Sequence, residues 1–230
     1  MRKLGLLGGM SWESSIHYER LIHEGVREAL GGTHSADLII RSVDFAVIEA
    51  LQARGAWSEA GKLLAREAQV LEAAGAEAIV LCTNTMHKVA PTIESALSIP
   101  LLHIVDPTAA AMSEVGVTTV ALIGTAYTME DPFYSDRLAS LGFHTLVPGA
   151  TERAEIQRII YHELVQGVIS DLSRAYLVSV IADLEAAGAE GVIAGCTEIE
   201  LLVGPGDISL PYFPTTALHA RHATQWALRP

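Results

Sequence analysis

The chain has 230 residues, a formal net charge of −12 and a mean hydropathy of +0.33. The acidic surplus, with no basic patch to offset it, argues against a nucleic-acid-binding protein. Charged residues or glycine interrupt every apolar run well before the ~20 residues that a membrane-spanning helix needs. The start of the chain carries no signal-peptide pattern, so we expect a cytoplasmic protein that does not insert into membranes.

The first half of the chain alternates short apolar runs with amphipathic stretches. The run Leu4–Leu7 stops at a glycine-rich turn, where Ser11 is placed to cap a helix over Trp12–Leu30. We then expect a strand at 37–41, helices at 48–54 and 57–75, a strand ending at Cys82, a helix broken near Pro91 and a strand at 101–105. Continuously apolar strands that alternate with helices are typical of buried parallel sheets, so the predicted fold class is α/β.

The second half repeats this order. Val120–Thr125 resembles the first strand and its glycine turn. It is followed by a predicted strand at 143–147, helices at 151–166 and 173–187, a strand at 190–195 leading to Cys196, and a last helix at 215–228. The sequence therefore predicts two similar domains from an internal duplication, each a short parallel sheet flanked by helices. We assign residues 1–104 with 214–230 to the first domain and 105–213 to the second.

The most similar segments of the two halves each end in a Cys-Thr pair. Glu-Ala-Ala-Gly-Ala-Glu occurs at 72–77 and again at 185–190, and an apolar run then leads to Cys82-Thr83 or to Cys196-Thr197. The two glycines lie 113 positions apart (188 − 75) and the two cysteines 114 (196 − 82). The chain has no other cysteine, so one thiol per half suggests two thiols that are used together.

The predicted position of both cysteines favours acid–base chemistry. Ligands of open parallel sheets bind beyond the carboxyl ends of the strands, where both cysteines are placed. We expect a following helix to lower each thiol pKa, and the N–H groups at 83–85 and 197–198 to receive a carboxylate. One thiolate could then remove a proton from carbon while the other thiol returns one to the opposite face, which inverts a stereocentre.

Other interpretations of these residues are weaker. Either cysteine alone fits a buried core position, and a disulfide between them is disfavoured in the cytoplasm. Cys82, His87, His103 and Cys196 could in principle form a set of zinc ligands, but the sequence has no closely spaced ligand pair such as C-x-x-C. His219 and His222 fit a solvated helix face better than a metal site. The turn Gly5–Met10 does not fit the dinucleotide pattern G-x-G-x-x-G. We therefore expect no metal and no cofactor.

Three motifs together resemble the cofactor-independent aspartate/glutamate racemase family over the whole chain. They are Gly5-Leu-Leu-Gly-Gly-Met-Ser11, Cys82-Thr-Asn-Thr85 and Gly195-Cys-Thr-Glu198, and they are most similar to the aspartate racemase branch. The resemblance implies two α/β domains with the active site in the cleft between them, no pyridoxal phosphate and commonly a homodimer. It also implies that Cys82 and Cys196 are the catalytic pair.

The same resemblance implies which residues bind the substrate. Thr83, Asn84, Thr85 and Thr197 match residues that hold the α-carboxylate and amino group of an amino acid. The glycine turn would bring its backbone close to the substrate at Met10 and Ser11.

One departure from the aspartate-specific relatives concerns the substrate side chain. Those relatives hold the distal carboxylate with an Arg after the second strand and a Lys in the second domain, where this chain has Ile48 and Val165. Gln52, one helical turn beyond Ile48, could hydrogen-bond a polar side chain instead, or it could be an exposed helix glutamine.

The expected function is therefore racemisation of aspartate, glutamate or a similar small polar amino acid such as homoserine. Two alternatives remain open. One is a dicarboxylate isomerase or lyase that uses one cysteine as a nucleophile, since fold alone does not fix the reaction. The other is a non-catalytic protein that binds a small acid.

Overall fold

The computed structural model describes residues 1–229, which divide into two compact units. One unit comprises Met1–Ile104 together with the C-terminal segment from His219 onward, and the other comprises Val105–Leu218. Each unit contains its own four-stranded parallel sheet with flanking helices, which confirms the predicted α/β class. None of the helices within these 229 residues has the length and apolarity needed to cross a membrane.

The first sheet has the strand order β2-β1-β3-β4, and all its neighbours are parallel. Its elements are β1 (Leu4–Gly8), α1 (Trp12–Leu30), β2 (Leu38–Ser42), α2 (Phe45–Ala53), α3 (Trp57–Ala73), β3 (Ala78–Leu81), a 3₁₀ helix (Thr85–Val89), α4 (Ala90–Glu94) and β4 (Leu101–Leu102). The central strands β1 and β3 are buried along their whole length, as their unbroken apolar sequences predict.

The second sheet repeats this order as β6-β5-β7-β8, which confirms the predicted internal repeat. Its elements are α5 (Val105–Val115), β5 (Thr119–Gly124), α6 (Ala126–Glu130), α7 (Pro132–Ser140), β6 (His144–Leu146), α8 (Ala150–His162), a 3₁₀ helix (Leu164–Gln166), α9 (Asp171–Ala186), β7 (Gly191–Gly195), α10 (Thr197–Leu202), β8 (Tyr212–Pro214) and α11 (Thr215–Leu228). Each strand of the first sheet thus has a counterpart four strands later.

The side chains of β3 point alternately to the two faces of the first sheet, and each face has its own hydrophobic core. Ile79 and Leu81 pack with α2 and α3, whereas Val80 and Cys82 belong to the core that contains α1 and α11. This two-residue period is the one that a pleated strand imposes. In the second unit Cys196 belongs to the core built by α8 and α9.

Several predicted boundaries need correction. The strand expected at 101–105 is only two residues long, because the Ile104 N–H donates to the ring Nε2 of His87 at 3.2 Å and α5 begins at the next residue. Helices α5, α6 and α7 were not predicted. The chain returns to the first unit at His219 rather than at 214, because Thr215 Oγ1 donates to the Ala194 carbonyl at 2.8 Å and the Thr216 N–H to Glu200, which keeps the start of α11 in the second unit.

Candidate active site

Cys82 lies one residue beyond β3, beside the end of β1. Its N–H donates to the Leu7 carbonyl at 2.9 Å, and its fully buried thiol donates to the Val80 carbonyl with Sγ and O 3.6 Å apart. Burial raises the pKa of this thiol, so the expected lowering of its pKa by a helix is wrong. The helical turn that follows starts only at Thr85 and is a short 3₁₀ helix, whose dipole is too weak to offset desolvation.

The loop after Cys82 is held in place by a histidine that sequence analysis did not assign to the site. His87 donates from Nδ1 to the Thr83 carbonyl at 2.7 Å and accepts the Ile104 N–H at Nε2. The Thr83 N–H, which was expected to bind a substrate carboxylate, donates to the Leu81 carbonyl at 2.9 Å in this structure. Thr83, Asn84 and Thr85 are all buried.

The glycine turn after β1 lies next to Cys82, as adjacent central strands require. Gly9 has a φ of +91°, a conformation that glycine adopts readily, and its N–H donates to Ser15 Oγ at 2.7 Å. Ser11 caps α1 as predicted, accepting the Ser14 N–H at 3.3 Å. Met10 and Ser11 are buried here, and Met10 packs in the same core as Ile48.

Gln52 is buried rather than exposed. Its side-chain Nε2 lies 3.1 Å from the sulfur of Met86, and its Oε1 has no hydrogen-bond partner among residues 1–229. An unsatisfied buried acceptor costs roughly 1–3 kcal/mol, so this oxygen favours a ligand that brings a donor. Ile48 is fully buried in the core, and Val165 is partly buried.

Cys196 lies one residue beyond β7 and is the N-cap of α10. Its Sγ donates to Glu198 Oε2 at 3.0 Å, and the Ile199 N–H donates to the Cys196 backbone carbonyl at 3.1 Å. The backbone N–H groups of Glu198 and Ile199 also lie near the sulfur. Burial, and then the negative charge of Glu198, raise the thiol pKa well above its usual value, although the two N–H groups act in the opposite direction. The expected lowering of the pKa is therefore wrong here too, because desolvation outweighs a six-residue helix.

Glu198, like His87, was not among the predicted site residues. The sequence could have indicated Glu198, because it follows Cys196 by two residues, just as Asn84 follows Cys82 by two residues. Thr197, which was predicted to bind substrate, is buried at the start of α10. Further along the same helix, Glu200 accepts the Thr216 N–H at 2.8 Å, and burial raises its pKa to about 7.

The histidines are not arranged as a solvated face. His219 is fully buried, so the expected exposure is wrong for this residue. Its ring donates to the Leu102 carbonyl and accepts from the Tyr18 hydroxyl, both in the first unit. Within residues 1–229 no three His, Cys, Asp or Glu side chains gather in a way that could hold a metal ion. Both cysteines are free thiols.

The sequence profile of the Asp/Glu/hydantoin racemase family matches residues 7–223, nearly the whole chain. The chain belongs to that family. Among solved structures, this racemase-family protein is similar to a Yersinia pestis protein assigned as an Asp/Glu racemase, with 52% identity over 100% of both chains and a TM-score of 0.94. It is also similar to an aspartate racemase homologue from Pyrococcus horikoshii OT3, with 34% identity over 100% of both chains and a TM-score of 0.87.

A more distant similarity concerns the fold and carries no information on the substrate. The aspartate racemase from Picrophilus torridus is 15% identical, over 98% of this chain and 95% of that one, with a TM-score of 0.75. Together these similarities confirm the predicted family and its α/β fold, and they support a racemase-type enzyme. The roles of the individual site residues remain predictions.

Proposed function

We propose that this protein interconverts the L and D forms of a small polar amino acid without a cofactor, using Cys82 and Cys196 to transfer the α-proton. One thiol acts as the base and the other as the acid at the same α-carbon, and the roles exchange when the other enantiomer is the substrate. The observation that carries this proposal is the repeated placement of a thiol directly beyond the second central strand of each sheet, one residue after β3 and one residue after β7.

We propose further that the substrate side chain is small and polar, with aspartate, glutamate and homoserine as the first compounds to test. The buried Ile48 offers no cation for a distal carboxylate at the position where aspartate-specific relatives carry an Arg. The unpartnered Oε1 of Gln52 favours a side chain that donates a hydrogen bond, such as a hydroxyl or an amide. We therefore rank homoserine and the amides above the dicarboxylic acids.

The test is a panel of pure L-amino acids incubated with the protein in deuterated water. Chiral chromatography measures the D-isomer, and mass spectrometry measures deuterium at the α-carbon. We expect D-isomer that carries one deuterium to form from at least one small polar amino acid. If neither inversion nor α-exchange occurs with any member of the panel, the proposed function is wrong.

We propose further that the protein is a homodimer, as the resemblance implies, and that it is cytoplasmic. The acidic net charge and the short apolar runs favour the amino acid as its ligand, with no nucleic acid and no membrane as a partner. Light scattering coupled to gel filtration measures the mass of the native protein against its 24.5 kDa chain. A mass of one chain at all concentrations would contradict the dimer, and recovery in a membrane fraction would contradict the location.

A further inference from the structure

The two thiols differ in the groups that can accept their protons. Cys196 donates to the carboxylate of Glu198 at 3.0 Å, and both side chains are buried. Cys82 donates to the backbone carbonyl of Val80 at 3.6 Å, and a carbonyl oxygen cannot take up a proton at neutral pH. The corresponding position after Cys82 carries Asn84, whose amide does not ionise.

This difference bears on how a thiolate is formed. Burial raises the pKa of both thiols, so both are protonated in the ligand-free protein near neutral pH. A thiol can act as a base only after losing its proton, because the thiolate is the reactive form. Each direction of racemisation therefore needs a route by which one buried thiol loses its proton.

We propose that Glu198 is the proton acceptor that makes Cys196 a base; this inference rests on the proposed racemase function. As Cys196 Sγ takes the α-proton from the substrate, the S–H proton passes to Glu198 Oε2. The electron pair of the broken C–H bond stays on the α-carbon until the Cys82 thiol gives its own proton to the opposite face. Glu198 then carries one added proton and Cys82 is a thiolate, and exchange with solvent restores both.

The surroundings of the sulfur suit this transfer. The backbone N–H groups of Glu198 and Ile199 at the start of α10 lower the thiol pKa, so they stabilise negative charge on sulfur while the carboxylate receives the proton. The other ionisable groups nearby are Glu200 on the same helix and Tyr212 on β8. Glu200 accepts the Thr216 N–H, and the Tyr212 hydroxyl donates to the Val203 carbonyl, so neither of these contacts involves the thiol.

The test compares deuterium exchange from each pure enantiomer in wild type and Glu198→Gln, which keeps the shape of the side chain but cannot accept a proton. Rates of racemisation cannot distinguish the two directions. Because the equilibrium constant between the enantiomers is one, kcat/KM must be the same in both directions. The measurement is therefore deuterium in the recovered starting enantiomer. Cys196→Ser identifies the enantiomer for which Cys196 is the base, and Glu200→Gln is the control for loss of a carboxylate from the same helix.

We expect Glu198→Gln to slow exchange about 100-fold for the enantiomer served by Cys196 and much less for the other, since general-base assistance is typically worth this much. The residual exchange should rise about tenfold per pH unit between pH 7 and 9, because only a pre-formed thiolate can react, whereas wild-type exchange should stay nearly flat. Glu200→Gln should keep both exchange rates.

Each other outcome contradicts the inference. Equal losses for both enantiomers, no loss, or a flat pH profile in Glu198→Gln would show that Glu198 does not take the proton. If Glu198→Gln fails to fold, Glu198→Asp retains the carboxylate one methylene farther away, and the same enantiomer-selective loss is required of it. If wild type exchanges the α-proton of no amino acid, both the proposed function and this inference are wrong. If wild type is active and Glu198→Gln is unaffected, only the inference is wrong.

Discussion

Acid should destabilise the first unit through one buried histidine. His219 is fully buried in α11; its Nε2–H donates to the Leu102 carbonyl at 2.7 Å, and its Nδ1 lies 3.0 Å from the Tyr18 hydroxyl, which donates to it. These two hydrogen bonds require the neutral ring, because Nδ1 can accept a hydrogen bond only when it carries no proton. Burial and, to a lesser extent, neighbouring His87 lower the pKa of His219 from 6.5 to about 3.

The magnitude follows from this lowered pKa. The unfolded chain takes up a proton at His219 below pH 6.5, but the folded protein does not until about pH 3. The stabilisation from keeping the ring neutral is therefore fully present above pH 6.5 and is lost as the pH falls towards 3. Each pH unit below 6.5 costs about 1.4 kcal/mol, which amounts to about 2 kcal/mol at pH 5.

Urea unfolding followed by circular dichroism tests this at pH 7.5 and at pH 5. His219→Gln cannot titrate, so its free energy of unfolding should fall by about 2 kcal/mol less than that of wild type between the two pH values. His34→Gln, at an exposed loop position, should fall in parallel with wild type. A parallel fall for His219→Gln would refute the reasoning, because it would mean that this ring does not resist protonation in the folded state.

Three further predictions concern activity. Cys82→Ala and Cys196→Ala should each abolish racemisation and leave the circular dichroism spectrum unchanged; a single variant with near wild-type turnover in both directions would contradict the two-thiol mechanism. Activity should survive prolonged dialysis against a chelator, since the thiols themselves carry the proton; loss that zinc restores would contradict this. Gln52→Leu should lower kcat/KM for a substrate with a donor side chain about tenfold relative to alanine, because one hydrogen bond is lost; an unchanged ratio would place Gln52 outside the substrate site.

Much of the fold could be predicted from the sequence because local patterns and burial agree. The continuous apolar runs of β1 and β3 become central strands, and Ser11 caps α1 as its position before the amphipathic stretch indicates. Helices α6 and α7 were missed because they are only five and nine residues long, too short for an apolar stripe to repeat. Their stability comes from packing on the sheet, which no short window of sequence reveals.

The candidate site could be predicted only in part. The Cys-Thr repeat located both thiols, because a repeated motif is a local signal. The state of those thiols could not be predicted, since burial depends on residues far away in the sequence and desolvation overrides the helix dipole. The same holds for His219, whose partners Leu102 and Tyr18 lie 117 and 201 positions away.

The small departure from exact duplication matters for the proposed chemistry. The second copy has one more residue between its glycine and its cysteine than the first, and successive strand residues point to opposite faces. Accordingly, Cys196 packs on the side of the helix that precedes its strand, α9, whereas Cys82 packs on the side away from α3. Two thiols in identical settings would share one protonation preference, but each turnover of the proposed racemase needs one thiol as the base and the other as the acid. A carboxylate beside Cys196 and a backbone carbonyl beside Cys82 supply that inequality.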